Sequence, residues 1–226
     1  MKRIPDKSID MILADLPYGT TQNKWDSIIP LEPLWEQYER VIKDTGAIVL
    51  TAQTPFDKVL GVSNLKHLKY EWIWKKANAT GHLNAKKMPL KEHENILVFY
   101  KKLPTYNPQN LIYSPRINKR ARNGSNYGKA GNSNFSEYTN YPKSVLEFSH
   151  DTRPTHPTQK PVALFEYLVK TYTNEGDVVL DNCMGSGTTA IACLNTNRNY
   201  IGFELDETYF KIANERIEKS LERVIG

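Results

Sequence analysis

Residues 177–190 read Asp-Val-Val-Leu-Asp-Asn-Cys-Met-Gly-Ser-Gly-Thr-Thr-Ala, a short apolar run that breaks on glycines and passes into a helix-compatible stretch. Such a strand followed by Gly185-x-Gly187-x-x-Ala190 satisfies the nucleotide-binding pattern, in which glycines let a ligand approach the backbone closely. Glu204 lies 19 residues beyond Gly185, at the end of the next strand-like run, where its carboxylate can accept hydrogen bonds from ribose hydroxyls. A ribose-bearing cofactor is therefore predicted. The pattern does not choose which one, because NAD-linked oxidoreductases carry it too. No Gly-x-x-x-x-Gly-Lys-Ser/Thr occurs, which disfavours hydrolysis of ATP or GTP by a P-loop.

Outward from this turn, strands and helices alternate. Residues 9–14 form an apolar run that stops at Asp15-Leu16-Pro17-Tyr18-Gly19, a buried strand ending in a turn. Pro33 is expected to open a helix with Leu34, Trp35, Tyr38, Val41 and Ile42 on one face, with Gly46 closing it and residues 47–52 forming the next strand. Residues 70–74 and 95–100 read as further strands. Pro161 begins a helix that buries Leu164, Phe165, Leu168, Val169 and Tyr172, and Asp206 can cap the last one. The prediction is an α/β fold: a Rossmann-like, mostly parallel sheet with helices on both faces. In such sheets ligands sit beyond the carboxyl ends of the strands, which puts Asp15, Gly185 and Glu204 along one edge.

The 226 residues allow one such domain with an insertion, and 39% hydrophobic content is ample for a core without disulfides or metal. Cys183 and Cys193 lie close together with no zinc-like spacing around them, so neither a disulfide framework nor a metal site is expected. A reducing, cytoplasmic location follows. No run reaches the ~18 apolar residues of a membrane span.

Charge is unevenly spread. Residues 66–160 hold 17 Lys and Arg against 6 Asp and Glu, a net of +11, whereas the rest of the chain is net −6. Within that stretch aromatic residues alternate with Arg116, Lys119, Arg120, Arg122, Lys129 and Lys143, as on a surface that neutralises phosphates and stacks on bases. From 101 to 151 hydrophobic periodicity is lost, and a long irregular insertion is expected.

The turn at 15–18 holds a second set of chemical groups. The Asp15 carboxylate can accept from an exocyclic amine, the Leu16 carbonyl before Pro17 is held where it can accept the other amine hydrogen, and Tyr18 can stack on a planar base. An aromatic amine satisfies all three. A turn with a capping Asp and a core Tyr would use the same residues.

Asp15-Leu-Pro-Tyr18 resembles the Asp-Pro-Pro-Tyr catalytic motif of S-adenosylmethionine-dependent DNA amino-methyltransferases. Asp181-x-x-x-Gly-Ser-Gly-Thr-Thr resembles their cofactor loop, and His156-Pro-Thr-Gln-Lys-Pro161 another cofactor-side motif. Their order is similar to that of the β class, and Asp rather than Ser at position 15 resembles the adenine-N6 members. The resemblance implies S-adenosylmethionine as cofactor, held by Asp181, Cys183, Gly185, Ser186, Gly187, Thr188 and Glu204, with Thr158, Gln159 and Lys160 closing over it. It implies double-stranded DNA as partner, with the target base flipped onto Tyr18; a homodimer is left open. It divides the chain into a catalytic half (1–100), a target-recognition insertion (101–151) and a cofactor-binding half (152–226).

Two positions depart from the family pattern: Leu16 replaces its first proline, and Cys183 stands where a Phe usually packs. Family members usually carry a further strand ending in Gly-Asp, upstream of the segment that residues 2–10 resemble; the expectation is a chain that starts after it, either truncated or with that edge covered by something else, which leaves the cofactor affinity open. No covalent enzyme intermediate is required, so a buried structural role is expected for both cysteines. His93-Glu94 precede a strand, where they could support the active-site edge, but a structural or surface role is expected. A cytosine-N4 methyltransferase and an NAD-linked oxidoreductase are the competing readings, along with a DNA-binding protein that has lost catalysis.

Overall fold

A computed structural model describes residues 1–19, 26–118, 134–151 and 159–225. Two compact units result, Met1–Asn107 with Ser144–Gly226, and Pro108–Lys143. In the larger, seven strands form one sheet in the order β7-β3-β4-β2-β1-β8-β9. They are β1 (Ile9–Asp15), β2 (Ile42–Ala52), β3 (Leu68–Thr80), β4 (Lys91–Phe99), β7 (Val145–Phe148), β8 (Val178–Asp181) and β9 (Asn199–Gly202). Pairing is parallel except on both sides of β4. The fold is the mixed, mostly parallel α/β sheet that the strand–helix alternation predicts.

The period-two alternation of the central strands divides the core between the two faces. Ile12, Ala14, Ile48, Leu50, Ala52, Leu97, Phe99 and Leu180 pack on one face with α1 (Leu31–Val41) and α2 (Phe56–Ser63). Met11, Leu13, Ala47, Val49, Ile96, Val98 and Val179 pack on the other with α3 (Val162–Tyr172) and α4 (Thr188–Asn195). β1 and β8 are side by side and parallel, with Ile12 opposite Leu180, so their carboxyl ends, Asp15 and Asp181, reach the same edge.

Several boundaries differ from the sequence expectations. α1 starts at Leu31, before Pro33, and Gly46 does not close it: β2 begins at Ile42, and Gly46 lies where its register against β1 shifts between the Ile9–Ile42 and Met11–Ala47 pairs. The α2 helix was not expected, since its eight residues follow Pro55 and include Gly61, weak signals of a helix. The stretch 101–151 is less irregular than its composition suggests. Residues 101–107 and 144–151 belong to the larger unit, where β7 pairs with β3. The Pro108–Lys143 unit contains an antiparallel pair, β5 (Ile112–Asn118) and β6 (Asn134–Thr139), in which Tyr113 and Tyr138 meet edge to face at 5.7 Å. None of their described side chains is buried, so the in–out alternation that would reveal the strands is lacking. The last helix, α5 (Glu207–Ile225), is capped by Asp206, whose Oδ1 accepts from the Thr208 and Tyr209 backbone N–H groups. Among the described residues no helix is long and apolar enough to cross a membrane.

Candidate active site

Asp15 ends β1 with both carboxylate oxygens engaged. Its Oδ1 accepts from the Tyr18 hydroxyl at 2.6 Å and from the Thr51 hydroxyl, while Oδ2 accepts from the Lys160 ammonium at 2.7 Å. Thr51 is the register partner of Asp15 on β2, which explains its position. Leu16 is buried in the core beneath the turn, so the residue that replaces the family's proline anchors the turn by packing. The Tyr18 ring stacks on Phe56 at 5.6 Å, and burial, then the Asp15 charge, push its phenol well above the ordinary value. Tyr18 is a neutral donor here.

Lys160 was expected to close over the cofactor; in this structure its ammonium lies on Asp15. It also lies 3.2 Å from Glu94 Oε2, and Glu94 Oε1 is 2.6 Å from Lys76. Lys160, Glu94 and Lys76 are 5%, 7% and 8% exposed, so these charges are compensated by one another more than by water. Burial opposes ionisation of Lys160, yet Asp15 and Glu94 outweigh it and raise the ammonium's pKa. Burial likewise pushes Glu94 up, and Lys160 and Lys76 overcome this to hold it below the ordinary range. Lys160 and Glu94 therefore face each other as a charged pair near neutrality.

Beside this cluster, β8 delivers the glycine turn. Asp181 accepts from the Cys183 backbone N–H at 2.9 Å and from the buried Thr189 hydroxyl, which fastens the turn to α4. Glu204 reaches back, its Oε2 accepting from the Gly185 N–H at 2.7 Å and its Oε1 from the Asp206 N–H at 2.8 Å. Gly187 caps α4 with φ +85°, and a Cβ there would lie 3.2 Å from that of Ala213, so both the conformation and the approach of α5 call for glycine. Thr188 is buried as the first residue of α4. Ser186 is held by Arg216 of α5, whose Nη1 donates to its carbonyl and, at 2.9 Å, to its hydroxyl. The hydroxyl in turn lies 3.4 Å from Gln159 Oε1, and Gln159 Nε2 donates to Asp151 at 2.6 Å. Asn182 accepts from the Tyr38 hydroxyl and so ties the turn to α1.

Cys183 is partly buried, and burial followed by nearby carboxylates raises its thiol far above the ordinary value; Cys193 is fully buried and pushed up to about 12. Neither is a nucleophile at neutral pH. Thr158 and His156 lie outside the described residues, as do Lys119, Arg120, Arg122 and Lys129. Arg116 and Lys143 are exposed in the smaller unit, where Arg116 donates to Thr139 Oγ1 at 3.0 Å across the β5–β6 pair. Thr51, Lys76, Asp151 and Arg216 were not anticipated at this edge, and Glu94 was weighed as a support for it but expected to be structural or on the surface. For Glu94 the available signal was an acidic residue opening an apolar antiparallel strand, which places it beside the parallel strands' carboxyl ends.

Burial, then the Asp15 and Glu204 charges, raise the Asp181 carboxyl from 3.8 to about 7, against the Thr189 and Cys183 donors. The native state therefore binds a proton there that the unfolded chain has released, so stability contributed by this group falls as pH rises from about 4 to about 7. Asp181→Asn is expected to flatten that dependence, which urea unfolding at about pH 5 and about pH 8 would measure. An equally steep dependence in the variant would place the cause elsewhere.

A carboxylate turn and a glycine turn at the carboxyl ends of adjacent strands are the arrangement expected of an α/β enzyme that uses a nucleotide-type cofactor. Sequence comparison agrees: residues 9–215 match the DNA methylase family model, and the chain belongs to that family. It is 30% identical over 239 residues to the type II methyltransferase M.HpaI of Haemophilus parainfluenzae, covering 96% of this chain and 71% of that protein. It is 29% identical to the DNA adenine methyltransferase YhdJ of Escherichia coli K12, covering 96% and 79%. Among solved structures, M1.HpyAVI in complex with SAM superposes with a TM-score of 0.64 at 26% identity, covering 92% of this chain and 89% of that one. The cytosine-N4-specific PvuII methyltransferase, at 15% identity and a TM-score of 0.67, shares the fold.

Proposed function

We propose that this protein transfers a methyl group from S-adenosylmethionine to the exocyclic N6 amine of adenine in DNA. The observation that carries the reading is the Asp15 carboxylate, oriented by Tyr18 and Thr51 on one strand end while the neighbouring strand ends in the glycine turn. The residues fit the cofactor. Glu204 keeps lone pairs beyond those given to Gly185 and Asp206, enough to accept from ribose hydroxyls. The residues do not suit NAD: its pyrophosphate needs the turn's N–H groups, and the Gly185 N–H is already taken by a carboxylate.

Adenine's amine is a weak nucleophile because its lone pair is delocalised into the ring. The cofactor supplies a methyl on positively charged sulfur, to which the C–S electron pair returns as the N–C bond forms. Asp15 and the Leu16 carbonyl accept the two amine hydrogens and favour the cationic, tetrahedral nitrogen that develops; one proton then leaves to restore the neutral product. Fixing the reactants in the site supplies up to roughly 7–11 kcal/mol of the barrier reduction in well-oriented cases. Extruding the base costs a few kcal/mol, of which stacking on Tyr18 would return about 1–3 kcal/mol.

The Pro108–Lys143 unit has 6 Lys and Arg against one acidic residue, and the aromatic pair Tyr113 and Tyr138 lies exposed on it; we assign it to DNA, with Arg116 and Lys143 on phosphates. Calorimetric titration tests the cofactor: S-adenosylmethionine should bind and NAD should not. Preferential NAD binding would remove the reading.

A further inference from the structure

Lys160 stands where the target amine belongs. Its ammonium donates to Asp15 Oδ2 at 2.7 Å and lies over the Tyr18 ring, 5.4 Å from the centroid. The base proposed for this site needs that carboxylate oxygen and that ring face. A carboxylate oxygen can accept twice, but the ammonium also lies over the ring face on which the base would stack, so the lysine must yield. At this depth an ammonium without a counter-charge would keep its desolvation penalty unrelieved. Glu94 provides the alternative: its Oε1 is held by Lys76 at 2.6 Å, while Oε2, 3.2 Å from Lys160, is the buried side-chain atom among the described residues that lacks an aligned hydrogen bond.

We propose that Lys160 is a place-holder that caps Asp15 in the empty enzyme and shifts onto Glu94 Oε2 when the target base enters. The inference rests on Asp15 and Tyr18 forming the base site. Lys160 is then a positioning residue that acts through Asp15. It keeps the catalytic carboxylate neutralised until an amine replaces its ammonium, and Glu94 sets how easily that exchange occurs. This explains why a lysine beside the cofactor-loop contact Gln159 points to the catalytic turn.

The test is a double-mutant cycle, with initial rates measured on bulk DNA free of adenine methylation and cofactor affinity by calorimetry. Glu94→Gln removes the receiving charge, so base entry should become harder and KM for DNA should rise roughly tenfold, with a smaller change in kcat and unaltered cofactor affinity. In a Lys160→Gln background the same change should no longer raise KM, because nothing remains to be displaced. An equal rise in both backgrounds overturns the place-holder, and so does a loss of cofactor affinity in Lys160→Gln. Should Glu94→Gln fail to fold, Glu94→Asp keeps the charge, shortens the reach and is expected to raise KM in the same Lys160-dependent way. Wild-type protein that transfers no methyl to DNA would instead defeat the functional reading beneath this inference.

Discussion

Asp15→Asn is expected to lose methyl transfer while still binding S-adenosylmethionine. Asp15 is the acceptor in three hydrogen bonds, from Tyr18, Thr51 and Lys160, and no donor role remains to it. An amide in its place turns one acceptor into a donor, which must face either the Lys160 ammonium or hydroxyls that have to turn round to accept, and it removes the negative charge that favours the developing cation. Losing one preorganised electrostatic partner of this kind costs roughly 10²–10³ in kcat; the loss here should be at least that large, because charge and hydrogen-bond pattern are removed together. Glu204 and the glycine turn are untouched, so calorimetry should show unaltered cofactor binding. Turnover near wild type would remove Asp15 from the mechanism.

Trp74→Ala should have the largest effect on stability. Trp74 is fully buried in β3; its indole N–H donates to the Phe148 carbonyl at 2.9 Å, its ring meets His150 at 5.0 Å, and the Lys76 ammonium lies 5.5 Å from its centroid. It therefore joins β3 to the end of β7 and supports one member of the buried ion cluster. Truncation leaves a cavity and an unpaired carbonyl, at a cost of about 3–5 kcal/mol in urea unfolding. Trp74→Phe keeps most of the packing and loses the hydrogen bond, at about 1–3 kcal/mol. Equal losses in the two variants would mean that the cavity contributes little.

Periodicity and glycine placement made the central sheet legible: the runs at 9–14, 47–52 and 177–180 became β1, the core part of β2, and β8 with the residue before it. These strands stand out as near-continuous apolar runs because both of their faces are buried. The reading weakened where that constraint lapses. The Gly46 bulge resembles a helix stop in sequence, and the described side chains of β5 and β6 include no buried one to betray a period of two. The motif residues Asp15, Tyr18, Asp181 and Glu204 could be named because their chemistry is carried in short contiguous patterns. Lys76 and Arg216 could not, and Glu94 only as a residue next to a strand: they reach this edge through antiparallel pairing or from the face of α5, which no local pattern encodes. For Lys160, its motif pointed to the cofactor, while its reach to Asp15, 145 residues away, is a product of tertiary structure.

The central claim is the identity of the atom that is methylated. DNA incubated with the wild-type protein and methyl-labelled S-adenosylmethionine, digested to nucleosides and separated by mass spectrometry, should carry its label in N6-methyladenine. Label in N4-methylcytosine, or in no nucleoside at all, would contradict the account.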